Sequence, residues 1–345
     1  MKAYFRKLIS LYGDVELISS MAHLPMNVKE AVVYVSRTRD ISKKISEGYF
    51  SERLVVIPTL GKSASGVLGK SVAIMHQAYT GQFTVDQLPR YVSGLDDHNI
   101  RVDMLLHHTL RDGGIVSLHA RPSGENLALL NLLGSKYVVN FRHPADNMVA
   151  IACGKYGANP NYSKDGNWAF TYQDPVKSSL YAGEVDVKKK IGYLIHTGFL
   201  ASTLSWIVGW LQFRDQQKSI VNRYEDFITD RRNSLVRIGK FLYGCEIKDS
   251  VIEQCDYVAD NWGKRKWVQS QEEINSKSGD RLASFASNSK TNKYPFGWTG
   301  EIGVWRNYYS KENKAAFTSV VDGFLRSHPQ ADILLDFYPD LLNIN

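Results

Sequence analysis

The sequence predicts an α/β protein: a three-layer sandwich with a mostly parallel central sheet and a phosphate-binding strand–loop–helix. Short apolar runs rich in Val and Ile alternate with segments whose apolar residues recur at helical spacing. This alternation is typical of parallel strands covered by helices on both faces. One run, residues 53–58 (RLVVIP), leads into a loop of Gly, Lys and Ser and then into a helical pattern. Because ligands of such sheets bind beyond the carboxyl ends of the strands, the residues after each run are the functional candidates.

The individual elements follow from composition and periodicity. Strands rich in β-branched residues are predicted at 31–36, 53–58, 114–119, 136–142 and 219–226. Helices are predicted at 65–79, at 125–134, where Gly134 ends the pattern, and at 235–244, where Asn233 or Ser234 is the expected cap. Residues 194–213 are apolar enough to approach the length of a membrane span, but they contain His196, hydroxyl residues and glycines. They are interpreted as a buried helix that lines a pocket.

Composition limits the classes of function. The chain has 345 residues and a net charge of +7, with no basic stripe, which favours an anionic ligand over nucleic acid. Three widely spaced cysteines form neither a disulfide framework nor a CxxC metal site, which favours a reducing, cytoplasmic compartment. We expect one domain over 1–345, with a core at about 53–328 and an extension at 1–50 packed on it. No membrane span is expected, and a homodimer stays open.

The loop GKSASG, residues 61–66, resembles a Walker A loop but lacks its spacing, because neither GKS triplet has a glycine five residues before its own Gly. The neighbouring strands end near His119 and Arg142 rather than at a carboxylate, which disfavours a magnesium-dependent kinase or ATPase. A lysine and hydroxyls at a helix N-terminus can bind phosphate without metal. The alternative is a helix capped by Ser63 or Ser65 beside a solvated Lys62. Lys70 and Ser71 are expected on the exposed face of the helix.

Four segments, in order, resemble the sulfotransferases that use 3′-phosphoadenosine-5′-phosphosulfate (PAPS). In the first, GKSASG, the resemblance implies a cradle for the 5′-phosphosulfate. Ala64 stands where the family usually has Gly, and Gly66 where it usually has Thr. The implied cofactor-binding residues of this loop are Gly61, Lys62, Ser63, Ala64, Ser65 and Gly66.

The second segment, YVVNFRHPADNMVAIA, implies that Arg142 binds the 3′-phosphate, and Ala150 occupies the position of a usual serine ligand. The third, NRYEDF, implies that Tyr224 lies near the adenine. The fourth, WTGEIGVWRNYY, matches at Gly300, Gly303, Trp305 and Arg306. Trp298 and Thr299 replace the usual Arg-Lys there, and Lys290 or Lys293 could supply the missing charge.

The resemblance implies transfer of a sulfuryl group from PAPS to a hydroxyl or amine of a small molecule or glycan, in line and without metal. His119 would be the base and Lys62 would stabilise the leaving phosphate. His107, His108 and Glu125 are weaker candidates for the base. A second set of residues either walls the acceptor pocket or is ordinary core: Tyr172, Tyr181, His196, Trp206 and Trp210. The alternatives are a nucleotide-dependent, kinase-like transferase and a non-catalytic nucleotide-binding relative.

Overall fold

The computed structural model describes residues 54–80, 100, 114–133, 135–153, 186–260, 302–328 and 330–344. In these ranges β1 (Leu54–Pro58), β2 (Gly114–Leu118), β3 (Lys136–Phe141) and β4 (Ser219–Arg223) form one sheet in the order β2-β1-β3-β4. All three strand pairs are parallel, and Val56 of β1 pairs with both Val116 and Tyr137. The predicted α/β class with a parallel sheet is confirmed. The strand predicted at 31–36 lies outside the described residues, as does the N-terminal extension.

Helices follow the strands along the chain, as the parallel connections require. The longer ones are α1 (Ser65–Thr80), α2 (Gly124–Leu133), α3 (Pro144–Ala152), α4 (Val187–His196), α5 (Phe199–Phe213), α7 (Arg231–Tyr243), α8 (residues 249–260) and α10 (Lys311–Ser327). The shorter ones are α6 (Tyr224–Thr229), α9 (Trp305–Tyr308) and α11 (Ile333–Phe337).

The alternation of side chains along the strands divides the interior into two cores. Val55 and Ile57 of β1 pack on one face of the sheet with buried residues of α1, α7 and α8. Leu54 and Val56 pack on the other face with residues of α2, α3, α4, α5, α10 and α11. The sheet therefore lies between two helical layers, which is the predicted three-layer sandwich.

The apolar segment at 194–213 is two helices and not the predicted single one. Gly198 adopts a left-handed conformation with φ of 84°, and α4 and α5 meet there at a bend of 63°. Trp206 and Trp210 of α5 are buried and both donate their indole N–H to the carbonyl of Ala120, at 2.7 and 3.1 Å. These tryptophans belong to the core. Within the described residues no single helix has the length and apolar character to cross a membrane, although the bent α4–α5 pair meets that criterion when taken together.

Three local predictions are wrong for identifiable reasons. The strand predicted to reach residue 226 ends at Arg223, because Tyr224 already begins α6. The cap of α7 is Asp230, whose carboxylate accepts the N–H of Asn233 at 3.2 Å, and neither Asn233 nor Ser234 is the cap. Ser71 is fully buried rather than exposed, and its carbonyl accepts the thiol of Cys255 at 3.5 Å.

Close packing of α5 on the segment after β2 depends on Gly209. A Cβ atom at this position would lie 2.5 Å from Cγ of Pro122, a ring atom that cannot rotate away. We expect Gly209→Ala to lower the free energy of unfolding by about 1–3 kcal/mol, the usual effect of overpacking. Urea unfolding measures the change.

The matched control is Gly323→Ala in α10, where, apart from the helix's own backbone, no atom of the described residues lies within 4 Å of the added carbon. There alanine should raise stability by up to about 1 kcal/mol, because it favours the helix more than glycine does. Equal effects of the two substitutions would contradict the close approach at Gly209.

Candidate functional site

The candidate site forms where the strands end at one edge of the sheet. The loop after β1 lies in the middle because β1 is flanked by β2 and β3. His119 follows β2, Arg142 follows β3, and Tyr224 follows β4. The strand order therefore brings together the predicted loop, base and arginine, which are far apart in sequence.

Backbone hydrogen bonds and two left-handed residues define the conformation of the loop from Leu60 to α1. The N–H of Thr59 donates to the carbonyl of Leu118 at 2.9 Å, and the N–H of Leu60 donates to that of Asn140 at 2.8 Å. Lys62 and Ala64 then adopt left-handed conformations, with φ of 65° and 57°. Left-handed residues that alternate with right-handed ones turn successive N–H groups toward one side, which creates a concave anion-binding surface. The N-terminus of α1, whose dipole favours an anion, follows directly.

Three buried asparagines hold this loop, and the sequence reasoning did not identify any of them. The Asn140 amide donates to the carbonyl of Ser63 at 2.7 Å and to the hydroxyl of Thr59 at 3.0 Å. Its oxygen accepts the amide of Asn222 at 2.9 Å. Asn147 donates to the carbonyl of Gly61 at 2.5 Å. The carbonyls of Gly61 and Ser63 are thus bonded inward, which favours binding of an anion by the N–H groups.

The hydroxyl of Ser63 also fits a ligand-binding role. The residue is 1% exposed, and its Oγ has no hydrogen-bond partner among the described residues. Buried hydroxyls nearly always have a partner in folded proteins, so the Ser63 hydroxyl can donate to a group bound at this loop.

His119 lies immediately after β2, and its Nδ1 is 2.8 Å from the carbonyl oxygen of Thr59. Because a carbonyl can only accept, Nδ1 carries the proton in this contact, and the neutral ring keeps its lone pair on Nε2. Burial lowers the pKa of His119 below its ordinary value of 6.5, and the positive charge of Lys62 lowers that pKa further. The hydrogen bond from Nδ1 to Thr59 opposes these effects in part. His119 is therefore a neutral imidazole at pH 7, close to a lysine.

Arg142 and Tyr224 form the second half of the site. Arg142 is only 6% exposed, and its guanidinium carbon lies 4.1 Å from the centroid of the Tyr224 ring. This is a cation–π contact that fixes the plane of the guanidinium. Burial raises the pKa of Tyr224, while the charge of Arg142 lowers it, so the phenol is neutral. The predicted position of Tyr224 near an adenine stays a prediction.

The described part of the fourth sequence segment, from residue 302 onward, is bonded to α3 through a buried carboxylate. Asp146, which is fully buried, accepts the N–H of Gly303 at 2.7 Å and that of Trp305 at 3.1 Å. The segment after Gly303 is thereby attached beside Arg142, four residues before Asp146. Ala150 is half-buried further along α3.

Of the other residues proposed from the sequence, most lie outside the described part of the chain. His196 is exposed at the end of α4. Several candidates lie outside the described residues: His107, His108, Tyr172, Tyr181, Lys290, Lys293, Trp298, Thr299 and Gly300. The side chain of Glu125 is likewise not described. Among the residues that the structure does describe, no three His, Cys, Asp or Glu side chains are placed to hold a metal ion.

No known protein-family model matches the sequence, and neither does any curated protein. Among solved structures, the chain is similar to mouse sulfotransferase SULT7A1 complexed with PAP (adenosine 3′,5′-bisphosphate). That alignment has 13% identity and a TM-score of 0.45, and it covers 83% of this chain and 89% of that one. The chain is also similar to retinol dehydratase in complex with androsterone and the inactive cofactor PAP, with 15% identity, a TM-score of 0.49, and coverage of 84% and 86%. Similarity at this level assigns no activity, so the function must be inferred from the residues at the sheet edge.

Proposed function

We propose that this protein is a sulfotransferase that uses PAPS as its sulfuryl donor. One observation carries the proposal: two separate groups with the chemistry to bind anions stand at the ends of neighbouring strands. The first is the concave loop after β1, and the second is Arg142 after β3. A nucleotide with anionic groups at both its 5′ and 3′ positions requires two such groups. A nucleoside triphosphate has its charge at the 5′ end alone.

The residues fit this nucleotide in a definite arrangement. The loop, with its inward-bonded carbonyls, would hold the 5′-phosphosulfate, and the orphaned hydroxyl of Ser63 would donate to it. Arg142 would bind the 3′-phosphate, since a guanidinium donates to phosphate oxygens in a fixed fork. When bound, the cofactor supplies a sulfuryl group joined to phosphate through an anhydride.

His119 and Lys62 would perform the chemistry. His119 Nε2 would accept the proton from the attacking hydroxyl or amine of a small molecule or glycan, and its lowered pKa keeps it unprotonated at neutral pH. Lys62 would stabilise the negative charge that develops on the oxygen between sulfur and phosphorus. A sulfuryl group carries less charge than a phosphoryl group, so a lysine and backbone amides could replace a metal ion.

Binding of PAP is the direct test of the proposal. By calorimetry we expect PAP to bind with a Kd below about 1 mM, equally with and without Mg²⁺. Arg142→Ala should weaken binding about 10–100-fold, because charge-assisted hydrogen bonds are lost. Arg326→Ala is the control, since this arginine is 75% exposed on α10 and pairs with Asp322. Absence of PAP binding would refute the proposal, and magnesium-dependent binding of ATP in its place would favour the kinase-like alternative.

The role of His119 is tested by His119→Asn. The asparagine amide can still donate to the carbonyl of Thr59, but it cannot accept a proton. We expect transfer of radiolabelled sulfate to a panel of phenols, alcohols and amines to fall about 10²–10⁴-fold. The affinity for PAP should stay within about twofold of wild type, because the lost group is a base and not a phosphate ligand. His196→Asn, at an exposed position, is the control.

The pH dependence of the transfer rate is a second test of the role of His119. Because burial and Lys62 lower the pKa of His119, the neutral base persists as pH falls through 6.5. The wild-type rate should therefore be level from pH 7 to 8 and decline only below the ordinary histidine pKa of about 6.5. Equal rates for His119→Asn and wild type would remove this residue from the mechanism. PAP binding without transfer to any acceptor would favour the non-catalytic alternative.

A further inference from the structure

Glu225 contacts the chain directly beside Arg142. Its Oε1 accepts the backbone N–H of His143 at 2.8 Å, and His143 follows Arg142 in sequence. The preceding residue, Tyr224, lies against the guanidinium of Arg142. Two consecutive residues of α6 therefore hold both ends of the arginine: its side chain and the peptide that follows it.

The sheet itself does not hold this peptide. The last pair in the ladder between β3 and β4 joins Phe141 to Arg223, so Arg142 and His143 lie beyond it. A backbone N–H at this point needs another acceptor, and Glu225 supplies one. The Glu225 carboxylate thus adds one hydrogen bond between the ends of β3 and β4, beyond the last pair of the ladder.

The second oxygen of Glu225 is held by the C-terminal segment. The hydroxyl of Tyr338 donates to Oε2 at 3.0 Å. Tyr338 is 3% exposed, and burial together with the charge of Glu225 raises its pKa well above the ordinary value, so the phenol remains a donor. Its ring also meets the His143 ring edge-on, with centroids 4.8 Å apart.

Two further contacts attach the same segment to the strand ends. Arg223 donates to the carbonyl of Phe337 at 2.7 Å, and Nε2 of His143 lies 3.4 Å from a carboxylate oxygen of Asp340. Tyr338 is therefore held on both sides, and it can fix the orientation of the Glu225 carboxylate.

We propose that Glu225, held by Tyr338, is a positioning residue that fixes Arg142 for the 3′-phosphate and so sets the preference for nucleotides phosphorylated at the 3′ position. The inference rests on the proposed function. An arginine that is already ordered loses little side-chain entropy on binding, so its hydrogen bonds are stronger in net effect. Glu225 would contribute to affinity only through the ligand group that Arg142 contacts.

The experiment compares two nucleotides that differ in that group alone. Calorimetry on the full chain measures Kd for PAP and for adenosine 5′-monophosphate, which lacks the 3′-phosphate. We expect Glu225→Ala to weaken PAP binding about tenfold and to leave binding of the monophosphate within about twofold of wild type. Glu225→Gln should restore PAP affinity to within about threefold, because the amide oxygen can still accept the N–H of His143. Tyr338→Phe removes only the hydroxyl and should give a partial loss, again for PAP alone.

A double-mutant cycle tests the route through Arg142. In an Arg142→Ala background, Glu225→Ala should cause no further loss of PAP affinity, because the group it positions is absent. Equal losses for both nucleotides, an unchanged affinity for PAP, or a full additional loss in that background would each overturn the inference. If Glu225→Ala does not fold, as judged by its circular dichroism, Tyr338→Phe carries the same comparison. A wild-type chain that does not bind PAP would instead overturn the proposed function, and this inference with it.

Discussion

The amide of Asn140 is the interaction on which the site depends most. It lies in the interior of β3, fully buried, and it joins the loop after β1 to the end of β4 through its bonds to Ser63, Thr59 and Asn222. Both amide hydrogens and the oxygen are bonded, so the desolvation of a polar group inside a parallel sheet is offset. An apolar residue here would leave the carbonyl of Ser63 without this donor. The fold therefore requires a polar residue at a position where strand packing alone favours valine or isoleucine.

The two halves of the site are supported by groups of different charge, and electrostatics explains the difference. Neutral asparagines hold the loop, so these supporting side chains carry no negative charge that would repel an anion. Carboxylates support the arginine half: Asp146 and Glu225 each accept backbone N–H groups from distant segments. Both lie in the first turn of a helix, where the helix dipole favours negative charge. Backbone donors satisfy the charge of Asp146, and a backbone N–H together with the hydroxyl of Tyr338 satisfies that of Glu225.

Much of the architecture could be predicted from the sequence, because apolar strands and periodic helices are local signals. The carboxyl ends of the strands also marked the loop, His119 and Arg142 as neighbours. Asn140 and Asn222 could not be found in this way, since a single polar residue in a strand has no period and its partner lies 82 residues away. The bend at Gly198 was missed for another reason: a single glycine inside an apolar, helical pattern is often tolerated, so it does not by itself mark a break. Position 230 was missed as a cap because several capping residues, Asp230, Asn233 and Ser234, stand within one turn.

Strain in the loop indicates that its shape is set by folding and not by the ligand. Lys62 and Ala64 have left-handed conformations, which for residues with a Cβ cost roughly 1–2 kcal/mol each. Such conformations persist only where neighbouring contacts over-determine them. Here the contacts are the inward hydrogen bonds to the carbonyls of Gly61 and Ser63, on either side of Lys62. Because these bonds come from the buried side chains of Asn140 and Asn147, the loop is ordered together with the core. An anion that binds it would then meet N–H groups already in place, and little of its binding free energy would be spent on ordering the chain.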